Sequence, residues 1–400
     1  MAIIFKLMAV MFCIVVLLKK RVALGHTMLI ASFVLFILVA PEFMIMEKTL
    51  RLTISSVGTW KLMAAMYLVM CLEYQLRTTG VLERFMDTVK KVFSDKVLLA
   101  VMPGVIGFLP SLGGAIMSCP MVENAAKNLA VTKEQKSSIN YWFRHIGEYA
   151  NPIVPGMLLA SEILKIPLRD LLIVLAPFGL LSFVLGWLFL INKVEKAPIA
   201  MAKIEDKIKS PFKNIALALG PILLNIILVV AFELDAASSL AIVILVMAVI
   251  LKQKLRHIGQ MIKAAYNFKL LWGVFGIICF QHMFNTSGAV NMFLNYMETT
   301  MVPIDFVVMM IAFMGGLLCG VGQSIIALAF PIIAAMGTLD MNLIVCAYIF
   351  GTAGQMMSPV HLCYPLTVEY FKADMVKPML PVIYMEFIMM SIAFLITQVL

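Results

Sequence analysis

Residues 71–85 read CLEYQLRTTGVLERF, and residues 279–293 read CFQHMFNTSGAVNMF. Set side by side, Cys71, Thr78, Gly80 and Phe85 fall on Cys279, Thr286, Gly288 and Phe293, about 208 positions on. The match resumes downstream. Tyr141, Gly147-Glu148 and Asn151-Pro152 fall on Tyr348, Gly354-Gln355 and Ser358-Pro359, and Pro120 falls on Pro331. In an apolar chain, a duplication on this length scale reads as two structural repeats, the build of many membrane transporters.

The chain is 62% hydrophobic and 13% charged, with a mean hydropathy of +1.01, values that exclude an ordinary soluble domain. Apolar runs long enough to cross a hydrocarbon core recur along its length, and the short alternating segments of a barrel are absent. The expected class is therefore an all-α polytopic membrane protein. Expected spans are 2–18, 22–46, 57–76, 138–160 and 168–191, then 214–232, 236–251, 270–284, 341–363 and 378–400. The basic cluster Lys19-Lys20-Arg21 follows the first apolar run rather than preceding it, so that run reads as a span and not as a cleaved signal. The seven cysteines lie in apolar stretches with no CxxC pair and read as core thiols.

Between the third and fourth span of each set lies an amphipathic stretch, 80–96 or 288–302. A Gly/Pro-rich apolar segment follows it, 97–122 or 303–333. These two segments read as re-entrant hairpins, broken at Pro110-Ser111-Leu112-Gly113-Gly114 and at Gly320-Val321-Gly322-Gln323-Ser324. Five crossings plus one hairpin per repeat is an odd count, which turns the second repeat upside down. Loop charges agree. Residues 77–96 carry Arg77, Arg84, Lys90, Lys91 and Lys96, whereas 285–304 carry no Lys or Arg. Lys19-Lys20-Arg21 corresponds to Glu233-Leu234-Asp235, and the linker 192–213 is rich in lysine. The positive-inside rule then puts the linker in the cytoplasm and both termini outside. Basic residues beside spans explain the net charge of +9 without nucleic acid.

Glu148 lies ten residues into its expected span, about 15 Å deep at 1.5 Å per residue. A carboxylate at that depth is costly unless paired or solvated. Arg144, four residues earlier, shares its face of a continuous helix, so the two read either as a self-neutralising pair or as a working site. His145 beside them is of the residue type suited to proton relay, or is a hydrogen-bonded core residue. The counterpart of Glu148 is the neutral Gln355, so the two halves present one charged ion-coupling set: Glu148, Arg144, His145 and Gln355. Asn151-Pro152 and Ser358-Pro359 mark helix breaks whose freed carbonyls and half-helix ends can bind ions. With them, Ser111, Gly113, Gly114, Gln323 and Ser324 at the hairpin tips complete the expected substrate-binding set. Ser111, Asn151, Ser324 and Ser358 also supply oxygens suited to Na⁺. No GxGD, HExxH, GxSxG or P-loop occurs, so neither an enzyme nor an ATP-driven pump is expected.

The arrangement resembles the ion transporter superfamily, which includes gluconate, citrate and dicarboxylate permeases and arsenite exporters. The stretches PSLGGA (110–115) and FRHIGEYANP (143–152) are more closely similar to the prokaryotic family catalogued as domain of unknown function 401. The resemblance implies a homodimer in a prokaryotic inner membrane, with a scaffold and a mobile transport part that moves like an elevator. It divides the first repeat (1–191) into scaffold 1–96 and transport part 97–191, and the second (214–400) into scaffold 214–302 and transport part 303–400. The implied function is secondary transport of a small, anionic solute driven by H⁺ or Na⁺, with no cofactor. A flippase or exporter of a lipid or other amphiphile on the same fold is the alternative.

Overall fold

The computed structural model describes residues 2–108, 114–196, 211–337 and 339–399. The described chain is all-α, with twenty α-helices in two series of ten. The first series is α1 (Ala2–Lys19), α2 (Leu24–Val39), α3 (Phe43–Ser55), α4 (Val57–Thr78), α5 (Val81–Val92), α6 (Asp95–Gly107), α7 (Gly114–Ala125), α8 (Lys133–His145), α9 (Pro155–Leu164) and α10 (Leu168–Gly186). The second is α11 (Pro211–Val230), α12 (Ala236–Ile250), α13 (Leu255–Ala264), α14 (Phe268–Thr286), α15 (Ala289–Glu298), α16 (Ile304–Cys319), α17 (Gly322–Ala335), α18 (Met341–Met356), α19 (Cys363–Phe371) and α20 (Met379–Val399). The described strands are a two-residue antiparallel ladder pairing Leu129 with Lys196 and Ala130 with Glu195.

The local chemistry that starts and stops the helices recurs from one series to the next. Gly80 and Gly288, adjoining the N-termini of α5 and α15, have φ of +70° and +71°, which a residue without Cβ adopts at little cost. Arg21 and Glu233 just beyond α1 and α11 have φ of 59° and 54°, and Lys165 and Lys372 at the ends of α9 and α19 have φ of 57° and 52°. The same left-handed stops thus end matching helices even where the side chains differ in charge.

Among the described residues, three helices are long and apolar enough to cross a membrane: Leu168–Ile191, Phe212–Val230 and Met379–Ile396. Two further pairs qualify together but are bent, α3 with α4 by 51° and α13 with α14 by 53°. The expected single span 22–46 is thus two elements, α2 and α3, divided at Ala40–Glu42. Pro41 accounts for that boundary, because it removes a backbone donor and disfavours helix at the preceding residue. The expected spans 138–160 and 341–363 are likewise broken near their middles. The two Gly/Pro-rich segments form helix pairs, α6 with α7 and α16 with α17.

Packing between the series is reciprocal. Helix α2 packs on α14 while α12 packs on α4, and α9 packs on α17 while α19 packs on α7. Close backbone approaches within the second series rest on glycine. A Cβ on Gly354 of α18 would meet the Phe313 carbonyl at 2.0 Å, and one on Gly316 of α16 would meet the Gly351 carbonyl at 2.2 Å. Backbones at such range need small residues, which explains the glycines of 315–316 as packing contacts.

Candidate functional site

Both helix breaks are built alike. Helix α8 starts on a capping box between Thr132 and Gln135, which satisfies orphan N–H groups at that end. It ends at His145, passes through a 3₁₀ turn (Ile146–Tyr149), and the chain re-enters helix at Pro155. Pro152 lacks the N–H a continuous helix needs. In the second series α18 stops at Met356, Ser358-Pro359 follows, and α19 begins at Cys363. Asn151 Nδ2 donates to the Phe108 carbonyl at the end of α6 (2.8 Å), and its Oδ1 accepts from the Ile153 amide (3.3 Å). Ser358 Oγ donates to the Leu317 carbonyl near the end of α16 (2.6 Å) and accepts from the Val360 amide (3.4 Å). Each break is therefore pegged to the hairpin of its own half. Tyr348 and Tyr141 join the halves: Tyr348 donates to the Glu148 carbonyl (2.9 Å) and Tyr141 to the Met356 carbonyl (3.0 Å).

Glu148 and Gln355, counterparts in the duplication, meet. Gln355 Nε2 lies 3.2 and 3.3 Å from the two carboxylate oxygens of Glu148, an ion-assisted donor to an acceptor. Gln355 is 3% exposed, whereas the Glu148 side chain is 22% exposed and faces two cavities. One, of about 260 Å³, lies against Gly322, Gln323, Tyr348, Thr352 and Gln355. The other, of about 210 Å³, is walled by Met66 and Val69 of α4 and Leu270 of α14, with Arg144 and His145 opposite. Glu148, Val154, Pro155, Gln323, His361 and Cys363 line both.

A continuous helix would have put Glu148 one turn from Arg144. The 3₁₀ turn instead sets residue i−3 beside it, and His145 Nε2 lies 3.9 Å from Glu148 Oε1. His145 also meets His361, with their Nε2 atoms 3.0 Å apart. Of the residues expected to bind substrate, Gln323 lines both cavities, and Asn151 and Ser358 are buried in the hairpin pegs. Ser324 is fully buried in the first turn of α17, and Gly114 is the first residue of α7. Ser111 and Gly113 lie outside the described residues.

The sequence reading missed His361, Cys363 and Glu386. His361 and Cys363 form an H-x-C pair just past the second break, and the ligand atoms of His145, His361 and Cys363 all lie within 4.8 Å of one another. The reading of every cysteine as a core thiol therefore omits the surroundings of Cys363. Glu386, 1% exposed in α20, is the lone acidic residue of its apolar run, the same signal that marked Glu148.

A family model described as "Protein of unknown function (DUF401)" matches residues 3–400, so the chain belongs to that family. No curated protein matches it.

Proposed function

From the geometry of the two breaks, we propose that the chain is a secondary active transporter of a small solute, working by alternating access between two inverted repeats. The observation that carries this reading is the meeting of Glu148 with Gln355 at the junction of both breaks, beside two cavities. Reciprocal packing of the two series is what a pseudo-two-fold relation produces, and in this reading an odd number of crossings per repeat inverts the second copy. Helix α9 begins beside the cavities at Pro155 and α17 at Gly322, and the positive ends of their dipoles favour an anionic solute there.

The packing also supports an elevator. Helices α1–α5 and α11–α15 pack chiefly among themselves, as do α6–α10 and α16–α20. The second cavity lies between these sets, with α4 and α14 on one side and α8 with the breaks on the other. In this reading 1–96 with 214–302 is the scaffold, 97–191 with 303–400 moves, and a homodimer in a prokaryotic inner membrane holds the scaffold still. Both termini lie outside, and H⁺ or Na⁺ drives the cycle through Glu148. Uptake of a panel of organic anions into proteoliposomes, under imposed proton or sodium gradients, tests the reading. Gradient-dependent, saturable uptake that Glu148→Gln lowers at least about tenfold is expected, since an intramembrane carboxylate on an ion path is a working group. Uptake indifferent to both gradients and to Glu148→Gln would sink the coupling.

One observation favours an amphiphile as cargo. A crevice of about 360 Å³ lined wholly by apolar side chains, among them Leu7, Met11, Phe284 and Ile311, runs between α1, α14 and α16. Transfer of a fluorescent lipid between leaflets, with no organic anion accumulated, would turn the assignment to that alternative.

A further inference from the structure

The pair His145 and His361 holds an electrostatic puzzle. His145 Nδ1 lies 2.6 Å from the Tyr141 carbonyl, and His361 Nδ1 lies 2.6 Å from the Gly320 carbonyl. A carbonyl oxygen only accepts, so each Nδ1 carries a proton, and a ring that holds no second proton presents a bare lone pair at Nε2. Where neither ring holds one, two lone pairs face each other at 3.0 Å. The Cys363 sulfur lies within 4.8 Å of a ring nitrogen of each histidine, and a Glu148 oxygen lies 3.9 Å from His145 Nε2. Three acceptor atoms and the Cys363 thiol thus converge, and the one S–H proton can serve only one of the two facing lone pairs. The Nδ1-to-carbonyl bonds are the outer contacts that fix the tautomer and aim of metal-bound histidine, and Gln355 holds the carboxylate of Glu148 in the same way.

We propose that His145, His361 and Cys363, closed by Glu148, bind a borderline-soft divalent transition-metal ion of the Zn²⁺ class. Tetrahedral zinc with bonds of about 2.0–2.1 Å to nitrogen sets two imidazole nitrogens about 3.3 Å apart, a small outward shift from 3.0 Å. Mixed imidazole, thiolate and carboxylate ligands suit Zn²⁺ or Co²⁺ and not Mg²⁺ or Ca²⁺. With Cys363 as thiolate and Glu148 ionised, the ligands carry two negative charges against the ion's two positive ones. The ion would tie α8 of the first series to the second break, across the same junction as Glu148 and Gln355. The site is set by ligand geometry alone, so metal binding is read without any transport assay.

Full-length protein in detergent, stripped with a chelator and dialysed, is titrated with Co²⁺. One equivalent should give the intense visible bands of a tetrahedral site and a near-ultraviolet thiolate-to-cobalt band, both abolished by Zn²⁺ and untouched by Mg²⁺. Cys363→Ser should remove the thiolate band while leaving weakened visible ones. His145→Asn and His361→Asn should each weaken Zn²⁺ binding by more than about tenfold, the least that disturbing a metal's ligand shell costs. Metal-free thermal midpoints of the three variants near that of the parent chain show that the loss is of ligands and not of fold. If one variant unfolds, the other two carry the test. A folded, monodisperse parent that takes up less than one equivalent of Co²⁺ overturns the assignment and leaves a shared proton as what separates the rings. Bands unchanged by Cys363→Ser and His361→Asn overturn it too.

Discussion

Asn151 and Ser358 show how two different side chains do one job in two places. Each spends its donor on the last turn of the first hairpin helix and its acceptor on the amide two residues ahead. Removing either leaves a partly buried carbonyl without its donor, at about 0.5–1.5 kcal/mol, the net worth of one hydrogen bond. Asn151→Ala and Ser358→Ala are therefore expected to lower the thermal midpoint in detergent by similar amounts, and the double variant by the sum, since the pegs serve separate hairpins. A strongly unequal pair would mean that only one break is held this way. Glu148 was legible in the sequence because a lone carboxylate in an apolar run has few innocent explanations, and Gln355 because alignment of the copies pointed to it. His361 and Cys363 escaped for a related reason. Their matching positions in the first half are Val154 and Gly156, so a comparison of the copies, which finds what both share, passes over an H-x-C pair that only one copy carries.

Helix breaks were legible wherever proline sat next to a capping residue, as at Asn151-Pro152 and Ser358-Pro359. The division of α2 from α3 was not, although Pro41-Glu42 stood in the run, because apolar length alone does not say where a run of helix bends. Helix α4 is bent from α3 by 51° and α14 from α13 by 53°. Contact distance decides what a glycine is worth. Gly354→Ala would drive a methyl into the Phe313 carbonyl and is expected to cost about 1–3 kcal/mol or more, as overpacking does. Gly220→Ala in α11 meets nothing within 4 Å and should be neutral or stabilising by about 0.5–1 kcal/mol through helix propensity. Comparing thermal midpoints of the two checks whether α16 and α18 are locked backbone to backbone. At the start of α12, Asp235 accepts from the Ala237 and Ser238 amides and the Ser238 hydroxyl. Partial burial pushes its pKa up, but the Ser238 bonds, with help from Lys61 and Ala237, outweigh that and hold it below the ordinary carboxylate value. A depressed folded pKa contributes stability that is complete above the unfolded value and lost as pH falls through the folded one. Asp235→Ala should thus cost about 0.5–2 kcal/mol at neutral pH, the worth of an N-cap, and progressively less as the buffer is made more acidic.

The two series of ten helices exchange partners: α2 with α14 and α4 with α12, α9 with α17 and α7 with α19. A two-fold axis relating two copies produces that pattern, but the pattern alone does not say how the axis lies to a membrane. The charges of the loops bear on it, because basic residues favour the cytoplasmic side and matching loops of an inverted copy would lose them. Arg84 and Met292 occupy matching places on α5 and α15, and both are exposed. If the second copy is inverted, Arg84→Cys faces the cytoplasm and Met292→Cys faces outside. A membrane-impermeant maleimide added to intact cells should then label Met292→Cys at once and label Arg84→Cys only after the cells are opened. The parent chain, whose cysteines are buried or half-buried, supplies the background. Labelling of both positions from one side would place the copies in parallel. Alternating access would then lose its symmetric partner states, and the junction of Glu148 with Gln355 would become a fixed contact rather than a pivot.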